Sequence, residues 1–302
     1  MQTNVFVTGA TGFVGSAVVQ ELIRAGHQVT GLARSDAAAK SLAAAGAKVH
    51  RGDLEDLKSL RRAAADSDGV IHTGFIHDFS KFKEVCETDR RVIEALGSML
   101  SDSNRPLVIT SGVGIATPGR LATEESVSVL DSAAMPRVAS EEAAASVAAR
   151  GVRVAVVRLP IIHGDGDGPH SFVRTLIRIA REKGVTAYVG DGTNRWPAAH
   201  QLDAAALYRL AFEKAPAGLS RFHAVAEEGI AFREIAEAIG RRLNLPVVSK
   251  SAAEAGDHFG WFAHFAGMDA PASSKLTRER LGWRPVQATL IGDLERGSYF
   301  KT

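Results

Sequence analysis

The 302-residue chain holds one cysteine, Cys86, so no disulfide can form within it and a disulfide-stapled secreted scaffold is excluded. A reducing compartment, the cytoplasm, is the predicted setting. Long apolar runs are missing too. No stretch approaches the ~18 residues of a membrane-spanning helix, and the N-terminus shows no charged-then-apolar leader pattern. A surplus of one charge sign is also lacking: the net charge is +2, with Lys and Arg scattered. That argues against nucleic acid or an anionic membrane and for small-molecule partners. Tyrosine is scarce as well, limited to Tyr188, Tyr208 and Tyr299, so chemistry assigned to the first half of the chain has no phenol to use. What is plentiful is apolar surface, 45% of residues, enough for one large domain or a domain with an elaborated end.

The most informative stretch runs from Asn4 to Gly15. An apolar strand leads into Gly9, Gly12 and Gly15 and then into a helix. Gly9 permits the sharp turn, Gly12 lets the backbone approach a pyrophosphate, and Gly15 lets the helix pack closely, while the helix N-terminus offers free N–H donors. Thr11, Phe13 and Val14 complete this dinucleotide cradle. Its surroundings agree, because Val14, Val18, Val19, Leu22 and Ile23 form a helical stripe closed by Gly26, and His27–Leu32 reads as the second strand of a βαβ unit.

Alternation continues from there. Helices are predicted over 37–45, 57–65, 79–100 and 138–149, and strands over 47–51, 69–73, 106–110 and 152–159. Six parallel strands in a doubly wound α/β sheet follow. Beyond Pro160 the pattern loosens into the glycine-rich Gly164–Gly168 loop and mixed elements, with 221–225 as a further strand and 246–249 and 258–265 as cover. This gives a Rossmann domain of 1–163 plus about 196–226, and a smaller, discontinuous substrate domain of about 164–195 and 227–302.

Together these residues resemble the extended short-chain dehydrogenase/reductases, the group of nucleotide-sugar epimerases, dehydratases and dihydroflavonol reductases. The marks are Thr8–Gly15, Gly52–Leu54, Val70–His72, Thr110–Ser111, Arg158–Pro160, Gly190–Gly192 with Asp203 after Arg195, and the closing Leu281–Pro285. The resemblance implies that Asp53, with Leu54, meets the adenine, that Thr73, Gly74 and Phe75 follow the cofactor across the fourth strand, and that Pro160, Ile162 and His163 border the nicotinamide. It also implies a possible homodimer through the helices over 79–100 and 138–149, with Ala139, Ala143 and Ala144 permitting close approach, either to a partner or to the chain's own sheet.

The end of the second strand bears on cofactor choice. An acidic residue there would bond a ribose 2′-OH and repel a 2′-phosphate, but the chain has Arg34 and Ser35. Arginine offers a planar fork to phosphate, so NADP(H) is expected. The alternative is a surface arginine beside a helix cap.

The chain departs from the family at its usual proton donor. Arg137-Val-Ala-Ser-Glu141 stands where Tyr-x-x-Ser-Lys belongs, and the strict register puts Gly112, with Ser111 before it, at the family's Ser/Thr position. Ser111 is a candidate for substrate contact or for satisfying backbone groups. Arginine holds its proton too firmly to act as an acid, so Arg137 is a candidate for stabilising an oxyanion, and Glu141 for accepting from ribose hydroxyls. Solvated helix charges are the alternative for both. His163 is the candidate general acid, with a backbone-bonded loop histidine as the other reading. His72 and His200 read as structural. Trp196, Trp261, Phe262, His264 and Phe265 are expected either to roof a pocket or to form plain core. The expected function is an NADP(H)-dependent oxidoreductase acting on a small carbonyl or hydroxyl substrate; the alternatives are a non-catalytic NADP(H) sensor or a sugar epimerase/dehydratase.

Overall fold

A computed structural model describes residues 3–115, 119–164 and 171–300. The first half alternates as β1 (Asn4–Thr8), α1 (Phe13–Arg24), β2 (Gln28–Ala33), α2 (Asp36–Ala44), β3 (Lys48–Arg51), α3 (Leu57–Ala65), β4 (Gly69–His72), α4 (Phe82–Ser98), β5 (Pro106–Gly112), α5 (Ala139–Ala149) and β6 (Arg153–Leu159). The second half continues with β7 (Ile161–His163), α6 (Phe172–Lys183), β8 (Thr186–Val189), β9 (Arg195–His200), α7 (Gln201–Lys214), β10 (Leu219–His223), β11 (Glu227–Ala231), α8 (Phe232–Leu243) and β12 (Val247–Lys250). It closes with α9 (Ala252–Phe259), α10 (Ala263–Ala266), α11 (Lys275–Leu281) and α12 (Leu290–Arg296).

The central sheet is parallel, with strand order β10-β6-β5-β4-β1-β2-β3. The crossover helices bury one core on each face, so strand residues are apolar on both sides. Val5 and Val7 pack with α1 and α7, while Phe6 packs with α3 and α4. The order reverses between β1 and β4, the switch point at which open α/β sheets place a ligand crevice outside the strands' C-terminal ends. The first αβ pair is fixed by sequence detail: Gly26 closes α1 at φ 89°, and its N–H donates to Ile23 O at 3.0 Å.

The expected helix over 79–100 is interrupted. Asp78 accepts from Ser80 N at 3.1 Å and holds a 3₁₀ turn, Phe79–Lys81, before α4 begins. Local capping outweighs continuous helix here. The alanines of α5 are spent inside the chain: Ala139, Ala143 and Ala144 are wholly buried, and a Cβ on Gly97 of α4 would fall 2.4 Å from Val147. They are therefore not available to a partner.

A second core lies beyond the sheet, built from α6, α8, α9, α12 and β9. The expected division at 196 is crossed in both directions. Trp196 and Ala198 pack in this second core, whereas Leu281 and Trp283 pack in the first. The closing motif explains the latter: Trp283 Nε1 donates to Asp203 O at 2.9 Å, and the Asp203 carboxylate accepts from Val286 N and Gln287 N at 2.9 and 3.1 Å. The segment 246–249, expected as cover, contributes to β12, which pairs with β8 in a small parallel sheet. Of the Gly164–Gly168 loop, residues 165–168 lie outside the described residues.

Candidate active site

The site begins at the β1–α1 turn. Gly9 sits at φ 64°, and a Cβ there would lie 2.6 Å from Gly74 N; one on Gly15 would lie 2.0 Å from Gly9 O. Only glycine fits at either position. Gly12, the N-cap of α1, brings no side-chain cap, and no acidic residue stands in the first turn. The first N–H groups of α1 therefore have no side-chain acceptor of their own, the arrangement in which a helix N-terminus takes an anionic group. Thr73 and Gly74 back this turn, with Thr73 Oγ1 donating to Thr8 O at 2.7 Å and Gly74 N to Thr8 Oγ1 at 3.2 Å. The residues present fit a dinucleotide pyrophosphate.

Arg34 is exposed just past β2, and Ser35 accepts from Ala38 N at 3.1 Å as the N-cap of α2. Asp53, also exposed, folds its own loop by accepting from Glu55 N and Asp56 N at 2.8 and 3.0 Å through Oδ1. A Cβ on Gly74 would come 3.1 Å from Leu54 Cδ2, so the Leu54 side chain already lies against the cradle.

At the other end of the crevice, Arg137 is not a solvated helix charge. Its Nη1 donates to Asp89 Oδ2 at 2.9 Å and its Nη2 to Thr110 O at 3.0 Å, and the guanidinium lies 4.5 Å over the Phe75 ring. Asp89 is buried and also accepts from Ser140 Oγ and lies 2.9 Å from His72 Nε2, while His72 Nδ1 is 2.6 Å from Thr8 Oγ1. Burial works against the Asp89 carboxylate, but Arg137, His72 and Ser140 together outweigh it and hold its pKa at about 2. His72 is thus tied into a buried network, and Asp89, at the centre of that network, is the site residue that sequence reasoning did not single out. Its signal was available: a carboxylate among Val85, Cys86, Val92, Ile93 and Leu96 on the apolar stripe of α4. The same neighbourhood is apolar enough that burial pushes the Cys86 thiol up to about 11, against the opposing pull of Arg137.

Glu141 does not reach for a ribose. Both its oxygens are taken by Arg158, at 2.7 and 2.8 Å, and Oε2 also accepts from Arg221 at 3.0 Å. Arg158 is 0% exposed, so its only neutralisation is internal. Burial raises the Glu141 pKa, but the two arginines prevail and lower it. Arg158 Nη1 also lies 3.3 Å from His223 Nε2, whose ring bonds Ser273 O through Nδ1 at 2.8 Å. Burial first, then Arg158, pushes His223 down to about 4, so it is neutral.

Ser111 is buried, and its hydroxyl has no partner among the described residues; it satisfies no backbone group. Strand alternation turns it away from Thr110, whose hydroxyl bonds Tyr208 at 2.6 Å. A Cβ on Gly112, at the family's Ser/Thr position, would meet only Leu159 O, at 3.9 Å, among the described residues, so a side chain could begin there without a clash.

His163 is enclosed, not open to the crevice. It is 0% exposed, and its Nδ1 lies 2.9 Å from Asp293 Oδ2. Ile162 packs on the first core and Ile161 on the second, so His163 follows Ile161 toward α12. Its Nε2 has no hydrogen-bond partner among the described residues. The ring is bonded to a carboxylate and not to backbone, and its burial away from solvent does not give it the access that a general acid at the nicotinamide needs. His200 caps α7 by accepting from Leu202 N at 3.2 Å. The aromatic set divides: Trp196 and Phe262 are core, whereas Trp261 is 51% exposed and stacks on Phe79 at 5.0 Å, joining the β4–α4 turn to the second core.

The sequence model of the NAD dependent epimerase/dehydratase family matches residues 5–223. The chain belongs to that family. A protein of Schizosaccharomyces pombe carrying the description uncharacterized is 49% identical over 98% of this chain and 99% of its own. A sterol-4-alpha-carboxylate 3-dehydrogenase (decarboxylating) of Dictyostelium discoideum is 27% identical, covering 76% of this chain and 74% of its own. Among solved structures, the dTDP-glucose 4,6-dehydratase DesIV from Streptomyces venezuelae, with NAD and TYD bound, superposes with a TM-score of 0.78 at 20% identity over 97% of this chain and 95% of that one. That likeness carries the Rossmann architecture. Members of that family are nicotinamide-dependent oxidoreductases, epimerases and dehydratases. Among the described residues, no helix is long and apolar enough to cross a membrane, and no cluster of metal-binding side chains occurs.

Proposed function

We propose that the protein is an NADP(H)-dependent oxidoreductase acting on a small carbonyl or hydroxyl substrate. The observation that carries this is Arg34, an exposed guanidinium past the end of β2, where an acidic residue would select against a 2′-phosphate, beside a glycine turn that only a closely approaching backbone or ligand requires. The dinucleotide, when bound, supplies a hydride. Gly9, Thr11, Gly12, Phe13, Val14 and Gly15 would hold its pyrophosphate; Asp53 and Leu54 would take the adenine end; Thr73, Gly74 and Phe75, with Pro160 and Ile162, would flank the nicotinamide end, while His163, enclosed against Asp293, stays out of it.

Arg137 has the remaining task. Asp89 and Thr110 O fix its guanidinium, so an unspent N–H can polarise a substrate oxygen without reorganising first. Because arginine does not give up its proton, the proton on the product oxygen comes from water. General acid catalysis contributes typically ~10²–10⁴-fold, so turnover is expected to be slow or directed at an activated carbonyl. Gly112, without a side chain, leaves the family's Ser/Thr position with no hydroxyl of its own.

Fluorescence titration with NADPH and NADH tests the cofactor, and Arg34→Ala is expected to weaken NADPH about tenfold with little change for NADH. NADPH consumption against aldehydes, ketones and quinones tests the chemistry; Arg137→Lys should lower turnover while NADPH binding holds. Tight binding without turnover on any class favours the sensor reading, which is supported by the commitment of Glu141 to internal ion pairs.

A further inference from the structure

β3 runs parallel to β2 in a register that sets Arg51 opposite Ala33, and Gly52 N donates to Ala33 O at 3.2 Å. Two arginines, Arg34 and Arg51, therefore emerge side by side at the C-terminal edge of adjacent strands, at the end of the crevice where the adenosine ribose of a dinucleotide would lie. They differ in one respect. Arg34 has no hydrogen bond or ion pair among those described, whereas Arg51 Nη2 contacts Asp36 Oδ1 at 2.5 Å. Asp36 is the first residue of α2, two residues after Arg34, and its side chain is 85% exposed while that of Arg51 is 54% exposed.

This pair is built to be displaced. It is a single contact through one guanidinium nitrogen, it lies in solvent, and exposed ion pairs contribute little to stability. A phosphate monoester carries more charge than a carboxylate and can engage a guanidinium with two oxygens at once. Nothing else in the fold needs Arg51 to hold Asp36: α2 already has its cap in Ser35. We propose that Arg51 is a second ligand for the ribose 2′-phosphate, and that Asp36 is its resident counter-ion, which the phosphate displaces. Asp36 then acts as a built-in competitor that sets how strongly the site prefers the phosphorylated dinucleotide. The assignment rests on the NADP(H) reading and extends it from one residue to three.

The two substitutions at this pair push affinity in opposite directions, which a merely structural ion pair would not do. Arg51→Gln is expected to weaken NADPH and adenosine 2′,5′-bisphosphate about fivefold to tenfold, with NADH changing less than about twofold. Asp36→Asn is expected to tighten both 2′-phosphorylated probes about twofold to fivefold, most at low ionic strength, where surface charges are least screened. Titration calorimetry on the full chain reads both, with thermal melts verifying that each variant is folded. Arg51→Gln leaving NADPH affinity intact, or Asp36→Asn weakening it, overturns the assignment. Failure of the broader reading looks different: wild-type protein that binds NADH as tightly as NADPH, or is indifferent to the bisphosphate, removes both. A wild-type preference that Arg34→Ala abolishes and Arg51→Gln does not touch removes only the part assigned to Arg51 and Asp36.

Discussion

At the β1–α1 turn, polarity is carried by the backbone alone: Gly12 brings no side-chain cap, α1 has no acid in its first turn, and Gly9 and Gly15 leave no room for a Cβ. At the β5–α5 end, polarity is carried by side chains, and most of it is already spent, with Glu141 on Arg158 and Arg221 and Arg137 on Asp89. The first region keeps its donors open for a ligand; the second uses its charges to hold itself together. On the proposed function, cofactor affinity and turnover would rest on separate ends of the molecule. Where the backbone tolerates a side chain, as at Gly12, substitution at the first end should cost binding without stability, and at Glu141 at the other end stability without binding.

The largest effect expected is at Glu141. Glu141→Ala leaves Arg158 buried without its carboxylate and should destabilise the fold by about 3–5 kcal/mol, read by urea unfolding, while NADPH affinity measured well below the transition stays near wild type. Glu141→Lys, which restores the family's residue, should be worse, since it sets a third cation among Arg158 and Arg221. A loss under about 1 kcal/mol for the alanine variant would mean the cluster is hydrated.

His223 gives the next effect, through pH. Its pKa is lowered from 6.5 to about 4, so above 6.5 the folded and unfolded chains both hold it neutral and its contribution is full. As pH falls from 6.5 toward 4 the unfolded histidine takes up a proton that the folded one refuses, and stability drops by roughly 2–3 kcal/mol. Unfolding free energies at pH 7 and pH 5 should show about 2 kcal/mol of that decline, and His223→Gln should flatten it; an unchanged slope would assign it to other groups.

The smallest cost to the fold, with a clear effect on binding, belongs to Gly12. Its φ of −76° suits any residue, and a Cβ would stand 3.2 Å from Gly9 O, so Gly12→Ala should change stability by no more than about 1 kcal/mol. The added methyl occupies the approach path of the pyrophosphate, and NADPH affinity should fall about tenfold or more. Wild-type affinity in this variant would break the contrast between the two ends.

Three cofactor-end features were readable from local pattern: the glycine turn, the alternation that builds the parallel sheet, and Arg34 past β2. Each is a short-range property, because glycine positions, helical stripes and strand ends are set by neighbours in the chain. The sequence also showed that Arg137 and Glu141 stand where a tyrosine and a lysine belong. It did not show what they do, since their partners lie 48 residues away at Asp89 and 17 away at Arg158. The enclosure of His163 depends on Asp293, 130 residues on, and the Arg51–Asp36 pair depends on the register of two parallel strands. Composition and spacing fix which groups a chain possesses and which backbone shapes it can take, whereas the environment of a charge, and so whether it is free to meet a ligand or consumed by the fold, is set by contacts that only tertiary packing brings within a few ångströms.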